Sequence, residues 1–153
     1  MNVTVDAEPF DTADAQRLIA ALDAGLANDY EPDQMFGRNL RAEQLAPGFG
    51  TFLVARADGT AVGCGAIRRL DPTTVEVKGM FVDPGLRGLG IAKKILEQLE
   101  DNARALGARR MVLETGIYQT AAIGLYSAAG FKPIDCFGEY VGSSTSLCFE
   151  KQL

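Results

Sequence analysis

The sequence predicts an α/β fold of the α+β type, in which helices flank one mixed, mostly antiparallel sheet of about seven strands. Three observations predict it: a run of short apolar strands in the first half, a strand–helix–strand–helix unit after it, and two strands at the end. The chain has 153 residues, enough to bury a core, and we expect a single domain over residues 1–153.

The first third of the chain predicts a strand, a helix and a loop. Apolar and polar residues alternate over residues 3–7, as in a half-buried strand. Asp11 or Thr12 can cap the helix that follows. The apolar face of this helix carries Leu18, Ile19, Leu22 and Leu26. A loop over residues 28–37 and a short helix over residues 38–45 are expected next.

A β-hairpin is predicted in the middle of the chain. Residues 51–56 (TFLVAR) and residues 61–70 are apolar strands, and Asp58-Gly59 between them is a strong two-residue hairpin signal. Asp71-Pro72 then makes a turn into the next strand.

The unit over residues 75–106 organises the rest of the chain. Residues 75–82 are rich in β-branched and apolar side chains and predict a strand. Residues 91–106 carry an apolar stripe with a 3.6-residue period, which predicts an amphipathic helix. Gly107 supplies a helix stop.

The last third of the chain completes the sheet. Residues 110–115 (RMVLET) predict a buried strand beside the strand at 75–82, and a second helix is predicted over residues 120–129. Residues 131–136 and 146–151 predict a closing pair of strands, joined by a polar connection at 138–144.

The turn before the amphipathic helix can bind an anion. It reads Arg87-Gly88-Leu89-Gly90-Ile91-Ala92, and its glycines allow a tight turn at a helix N-terminus, where unpaired amides and the helix dipole favour phosphate. A plain strand-to-helix turn is the alternative. The dinucleotide-binding pattern fails because Lys93 occupies its third glycine position, and no Walker-type Gly-Lys-Ser/Thr follows.

Two motifs resemble the GNAT family of N-acetyltransferases. One is Arg-x-x-Gly-x-Ala at residues 87–92, after a strand and Val-Asp-Pro. The other is Gln119-Thr-Ala-Ala-Ile-Gly-Leu-Tyr126-Ser-Ala-Ala-Gly-Phe131, similar to the family's Asn-x-x-Ala-Ile-x-Leu-Tyr-x-x-x-Gly-Phe. Their order and spacing match the family over roughly residues 74–132. The resemblance implies the GNAT acyl-CoA acyltransferase fold.

The resemblance also implies how acetyl-CoA is held. The loop at residues 87–92 would bind the pyrophosphate, and the strand at 75–82 would splay from its neighbour and pair with the pantetheine arm. Gly79 is consistent with a bulge in that strand. Gln119 stands where the family usually has Asn. The implied cofactor contacts are Met80, Phe81, Val82, Arg87, Gly88, Leu89, Gly90, Ile91, Ala92, Gln119 and Tyr126.

Tyr126 is the candidate general acid by the same resemblance. A positioned phenol, with a pKa of about 10, can protonate the departing thiolate. The alternative is a core tyrosine on an amphipathic helix.

Glu76 is the candidate base. Strand alternation predicts Glu76, Lys78 and Met80 on one face of the sheet, with Val75, Val77 and Phe81 on the other. Glu76 and Lys78 therefore share a face, and a structural pair between them is the alternative to a catalytic role.

Lys78 and Glu114 are candidate acceptor-binding residues. If they lie together, Lys78 can bind a carboxylate and Glu114 an ammonium group. Tyr30 belongs to an acidic cluster with Asp29, Glu31 and Asp33, which reads either as a solvated loop or as a lid over the acceptor.

Composition excludes several classes of function. The net charge is −5 without a basic cluster, which argues against nucleic acid as a partner. The absence of histidine excludes His-ligated zinc and His-based triads, and no metal is expected. No apolar run approaches ~20 residues, and the N-terminus lacks signal-peptide character. Cys64, Cys136 and Cys148 are expected to be buried free thiols. We expect a cytoplasmic monomer or homodimer that does not bind membranes.

The sequence therefore predicts an acetyl-CoA-dependent N-acetyltransferase that acts on the primary amine of a small molecule or amino-acid-like acceptor. A protein acceptor, at a lysine or an N-terminus, is one alternative. A non-catalytic acyl-CoA-binding module is the other.

Overall fold

Seven strands form one sheet in the computed structural model, which describes residues 1–35 and 40–153. The strands are β1 (Val3–Ala7), β2 (Gly50–Ala57), β3 (Thr60–Asp71), β4 (Thr74–Val82), β5 (Arg110–Gly116), β6 (Lys132–Ile134) and β7 (Ser146–Gln152). Their order is β1-β2-β3-β4-β5-β7-β6, and every neighbouring pair is antiparallel except β4 with β5. The predicted mixed, mostly antiparallel sheet is confirmed.

Capping side chains and glycines lie at helix boundaries, as the sequence predicts. They are α1 (Ala13–Leu26), α2 (Ile91–Ala105) and α3 (Thr120–Ala128). The Thr12 side chain caps α1 by accepting the Ala15 N–H at 3.2 Å. Gly90 and Gly107 bracket α2 with positive φ angles of 83° and 84°.

The region between α1 and β2 departs from the prediction. It contains short 3₁₀ helices at Pro32–Gln34 and Ala42–Leu45. Of the short helix expected over residues 38–45, residues 42–45 form a 3₁₀ helix, whereas Leu40 and Arg41 are not helical. Residues 38–39 of that helix and the end of the predicted loop at 36–37 lie outside the described residues.

Helices cover the two faces of the sheet unequally. On one face, α2 and α3 pack over Val75 and Val77, and Tyr126 of α3 belongs to that core. On the other face, α1 packs over Phe52 and Phe81. Burial of these apolar side chains supplies most of the driving force for folding.

A β-bulge at Gly79 changes which face the following residues occupy. Two steps along β3, from Ala66 to Cys64, correspond to three steps along β4, from Lys78 to Phe81. Gly79 has a φ of 65°, a region that favours glycine, and its carbonyl accepts the Cys64 S–H at 3.2 Å. Beyond the bulge, Met80 packs on the α2 side and Phe81 on the α1 side. The alternation predicted for these two residues is therefore wrong, because an inserted residue inverts the facing of every later one.

The parallel strands β4 and β5 separate soon after they meet. Register pairs join Thr74–Glu76 to residues 110–112. Both strands continue well past these pairs, to Val82 and Gly116. On its other side β5 stays paired with β7 along its whole length. The sheet consequently opens between β4 and β5, as the family resemblance implies.

Two of the three cysteines form a disulfide. Cys136 and Cys148 are bonded, with their Cα atoms 5.1 Å apart, so the prediction of free thiols is wrong for both. The β6–β7 hairpin brings them together, because Ile134 is the register partner of Cys148. Cys64 is a buried free thiol as predicted, and burial raises its pKa to about 12.

Candidate active site

A cavity of about 510 Å³ lies where β4 and β5 separate. Residues from both faces of the sheet line it. Ile91 and Tyr126 contribute from the α2 and α3 side, while Ile19 and Leu22 of α1 contribute from the opposite side. The cavity therefore passes through the sheet. Two ligands can reach it, one from each face of the sheet.

The N-terminus of α2 opens onto this cavity. Gly88 and Gly90 both have positive φ, and a Cβ added to either would meet nothing within 4 Å. The N-cap residue is Gly90, which has no side chain to cap the helix. The amides of its first turn have no intrahelical partner, so they can bind an anion. Arg87 also lines the cavity, and its Nε donates to the Val82 carbonyl at 2.9 Å. Leu89 is exposed and is not part of the cavity lining.

The exposed edge of β4 forms one wall. Met80, Phe81 and Val82 all line the cavity. They lie beyond the last β4–β5 register pair, at Glu76 and Val112, so within residues 1–35 and 40–153 this stretch has no strand partner on the β5 side. Main-chain groups on that side can therefore pair with an extended ligand.

Tyr126 lies in α3 and lines the cavity. It is 5% exposed and its ring contacts Phe131 edge-on, with the centroids 5.7 Å apart. Burial, followed by the charge of Glu114, raises the pKa of Tyr126 above its ordinary range. Gln119 precedes α3, lines the cavity and donates a long hydrogen bond of 3.4 Å to Asp29.

Glu76 is enclosed by partners on the α1 face. It is 1% exposed and is not part of the cavity lining. Its Oε1 accepts a hydrogen bond from Nε of Arg68 at 2.9 Å and forms an ion pair with Nη2 of Arg68 at 2.9 Å. Its Oε2 accepts the Tyr140 hydroxyl at 2.7 Å. The structural pair is therefore formed with Arg68, and the predicted pairing of Glu76 with Lys78 is wrong.

Lys78 and Glu114 both line the cavity, from the two separating strands. Among the described residues, Lys78 has no ion pair within 4.0 Å, and burial lowers its pKa. Burial raises the pKa of Glu114, although its carboxylate accepts the Ser146 hydroxyl at 2.6 Å. Both groups thus carry a desolvation penalty that an oppositely charged ligand would reduce.

Tyr30 and Tyr140 differ in their relation to the cavity. Tyr30 is buried against Gly116, accepts the Tyr118 N–H at 3.0 Å and is not part of the cavity lining. Tyr140 lines the cavity from a 3₁₀ turn at Gly138–Tyr140. Tyr140 lies in a polar connection between two strands, where the neighbouring sequence does not indicate a function for it.

Two findings in the described residues concern membrane spans and metal sites. No helix there combines the length and apolar character needed to cross a membrane. No cluster of three or more His, Cys, Asp or Glu side chains is placed there to hold a metal ion.

Comparison with known proteins agrees with this geometry. The Acetyltransferase (GNAT) family matches residues 17–131. An IAA acetyltransferase of Azospirillum brasilense is 43% identical over 154 residues, covering 99% of each chain. The N-alpha-acetyltransferase RimI of Mycobacterium tuberculosis is 36% identical over 142 residues, covering 86% of this chain and 84% of its own. A crystal structure from Klebsiella pneumoniae, assigned as an acyl-CoA N-acyltransferase, is 33% identical with a TM-score of 0.83, covering 99% and 97% of the chains.

The fold and the open sheet define an acyltransferase of the acyl-CoA type. The chain belongs to the GNAT family of acetyltransferases. It is an N-acetyltransferase, and its co-substrate is acetyl-CoA.

Proposed function

We propose that this N-acetyltransferase moves an acetyl group to the primary amine of a small, amino-acid-like acceptor. The observation that carries the proposal is the cavity through the sheet, which joins the α2 N-terminus on one face to Lys78 and Glu114 on the other. The acetyl donor enters from the α2 side and the acceptor from the α1 side, so the two meet in the gap between β4 and β5.

The donor is held by main-chain groups. In this proposal the amides of residues 88–92 bind the pyrophosphate, and the unpaired edge of β4 at Met80–Val82 pairs with the pantetheine arm. The open space in front of Gly88 and Gly90 fits a phosphate group. Acetyl-CoA supplies the acetyl group as a thioester.

Lys78 and Glu114 recognise the acceptor. A carboxylate on the acceptor would compensate the buried charge of Lys78, and its ammonium group would compensate Glu114. The Azospirillum brasilense relative, named an IAA acetyltransferase, supports a small-molecule acceptor. The RimI relative favours a second candidate, the N-terminal amine of a protein.

Glu114 is the better base for the acceptor amine. Glu76 is screened from the cavity by Arg68 and Tyr140, whereas Glu114 lines it. An ammonium group has a pKa near 10.4 and an ordinary Glu near 4.3, so a carboxylate whose pKa is raised by burial loses less free energy in the transfer.

Tyr126 acts as the acid in the same proposal, and Glu114 is coupled to it. The negative charge of Glu114 contributes to the raised pKa of Tyr126. When Glu114 takes the ammonium proton, that charge disappears and the Tyr126 hydroxyl becomes a stronger acid. It then donates its proton to the departing thiolate. Deprotonation of the amine thus prepares protonation of the leaving group.

The choice of acceptor can be tested with matched substrates. We expect a free amino acid to react with kcat/KM about tenfold or more above that of its amide, because only the acid presents a carboxylate to Lys78. Lys78→Met should abolish the difference, whereas Lys132→Met, at an exposed position on β6, should preserve it. Peptides that react better than free amino acids would refute the small-molecule acceptor and favour the protein N-terminus.

The phosphate-binding role of the glycine turn can be tested with a matched pair of variants. Gly90→Ala and Gly107→Ala place the same Cβ at φ angles of 83° and 84°, at opposite ends of α2. Each should cost about 1 kcal/mol of folding stability. Only Gly90→Ala should weaken acetyl-CoA binding, by about tenfold or more, in isothermal titration. Equal affinities in the two variants would contradict the assignment.

The acid role of Tyr126 can be tested by removing one oxygen. Tyr126→Phe keeps the ring in its contact with Phe131 and deletes the proton donor. We expect single-turnover acetyl transfer to slow by on the order of 10²–10⁴ with acetyl-CoA affinity little changed. Tyr118→Phe, at an exposed ring outside the cavity lining, is the control. If Tyr126→Phe transfers the acetyl group as fast as this control in a single turnover, another group must act as the acid.

A further inference from the structure

Tyr140 occupies a defined position beside the proposed acceptor groups. It is 4% exposed and lines the same cavity as Lys78 and Glu114. It comes from the connection between β6 and β7, far in sequence from both β4 and β5. The acceptor side of the cavity is therefore completed by a segment that neither family motif reaches.

A chain of polar contacts holds the Tyr140 hydroxyl in place. The hydroxyl donates to Oε2 of Glu76 at 2.7 Å, and Oε1 of Glu76 accepts both contacts from Arg68 at 2.9 Å. Arg68 and Glu76 are register partners on β3 and β4, so the sheet itself fixes this pair. A buried, charge-assisted hydrogen bond of this kind restrains a side chain strongly.

The turn that carries Tyr140 is restrained as well. The Phe137 ring contacts the Tyr140 ring edge-on, with the centroids 5.3 Å apart. The disulfide between Cys136 and Cys148 ties the start of this segment to β7. Tyr140 is thus supported by its neighbours in the turn and by the sheet below it.

The hydrogen bond to Glu76 decides what chemistry Tyr140 offers the cavity. A phenol has one proton, and here that proton is directed to Glu76. Burial and the charge of Glu76 raise the pKa of Tyr140 far above its ordinary range, so the hydroxyl stays neutral. Towards a ligand, the Tyr140 oxygen therefore acts as a hydrogen-bond acceptor, which suits an N–H donor such as an amine.

We propose that Tyr140 is a specificity-determining residue that accepts a hydrogen bond from the acceptor amine, and that Arg68 and Glu76 are positioning residues acting through it. The inference rests on the proposed function. It gives the amine two contacts, the Tyr140 oxygen and the Glu114 carboxylate. It also gives Glu76 a role that requires no access to the acceptor.

The direct test compares two Tyr→Phe variants. Tyr140→Phe keeps the ring and removes the acceptor oxygen. We expect the KM of the amine to rise about tenfold, with kcat and acetyl-CoA affinity within about twofold of the wild type, because a contact made equally in the ground and transition states is lost. Tyr118→Phe should leave all three values unchanged. An unchanged amine KM in Tyr140→Phe would overturn the proposal.

Glu76→Gln tests the positioning role. We expect it to raise the amine KM as Tyr140→Phe does, while the acid limb of the kcat/KM–pH profile remains. The double variant should be little worse than either single variant, because both changes remove the same contact. Glu150→Gln is the matched control, since Glu150 pairs with Arg110 across the same sheet at 2.6 Å, outside the cavity lining.

Three other outcomes would overturn the inference, each in a recognisable way. A fall in kcat of about 10² or more in Glu76→Gln, with loss of the acid limb, would make Glu76 the base itself. Fully additive KM effects in the double variant would show that Glu76 does not act through Tyr140. A wild-type enzyme that binds acetyl-CoA but acetylates no amine would refute the proposed function as well. If Glu76→Gln fails to fold, Tyr140→Phe still decides the question alone.

Discussion

The separation of β4 from β5 determines where the cavity lies and which residues line it. Parallel pairing ends at Glu76, and the bulge at Gly79 then turns Met80 and Phe81 to opposite faces from those that simple alternation requires. Without that gap the sheet would be continuous, and Tyr126 on one face could not share a cavity with Lys78 on the other. The two reactants are therefore kept apart by the sheet until they meet within it.

The open sheet is maintained at a cost in stability. An unpaired strand edge, a half-buried Lys78 without an ion pair among the described residues and a desolvated Glu114 each oppose folding. The Arg68–Glu76 pair ties β4 to β3 beside the gap, and the disulfide at Cys136 ties the segment that carries Tyr140 to β7. This distribution is expected where binding groups must be ready for charged ligands before those ligands arrive.

Local chemistry made much of the fold predictable. Asp58-Gly59 closes the β2–β3 hairpin, and Gly90 and Gly107 bound α2, because each signal acts within a few residues. The predictions that were wrong concern contacts between segments that lie far apart in the sequence. The pairing of Glu76 with Tyr140 spans 64 residues, and no period or motif encodes it. The bulge could be suspected from Gly79, but its effect on the facing of Met80 depends on the register with β3.

Amide hydrogen exchange along β4 can show whether the open edge of this strand binds the pantetheine arm. If the open edge of β4 is where the pantetheine arm pairs, amides within residues 78–82 should exchange more slowly once coenzyme A saturates the protein. The β1–β2 pair, remote from the gap, serves as the internal reference. Protection of residues 78–82 that depends on coenzyme A is the predicted result. Binding that leaves those amides unchanged and protects only other segments would contradict the account.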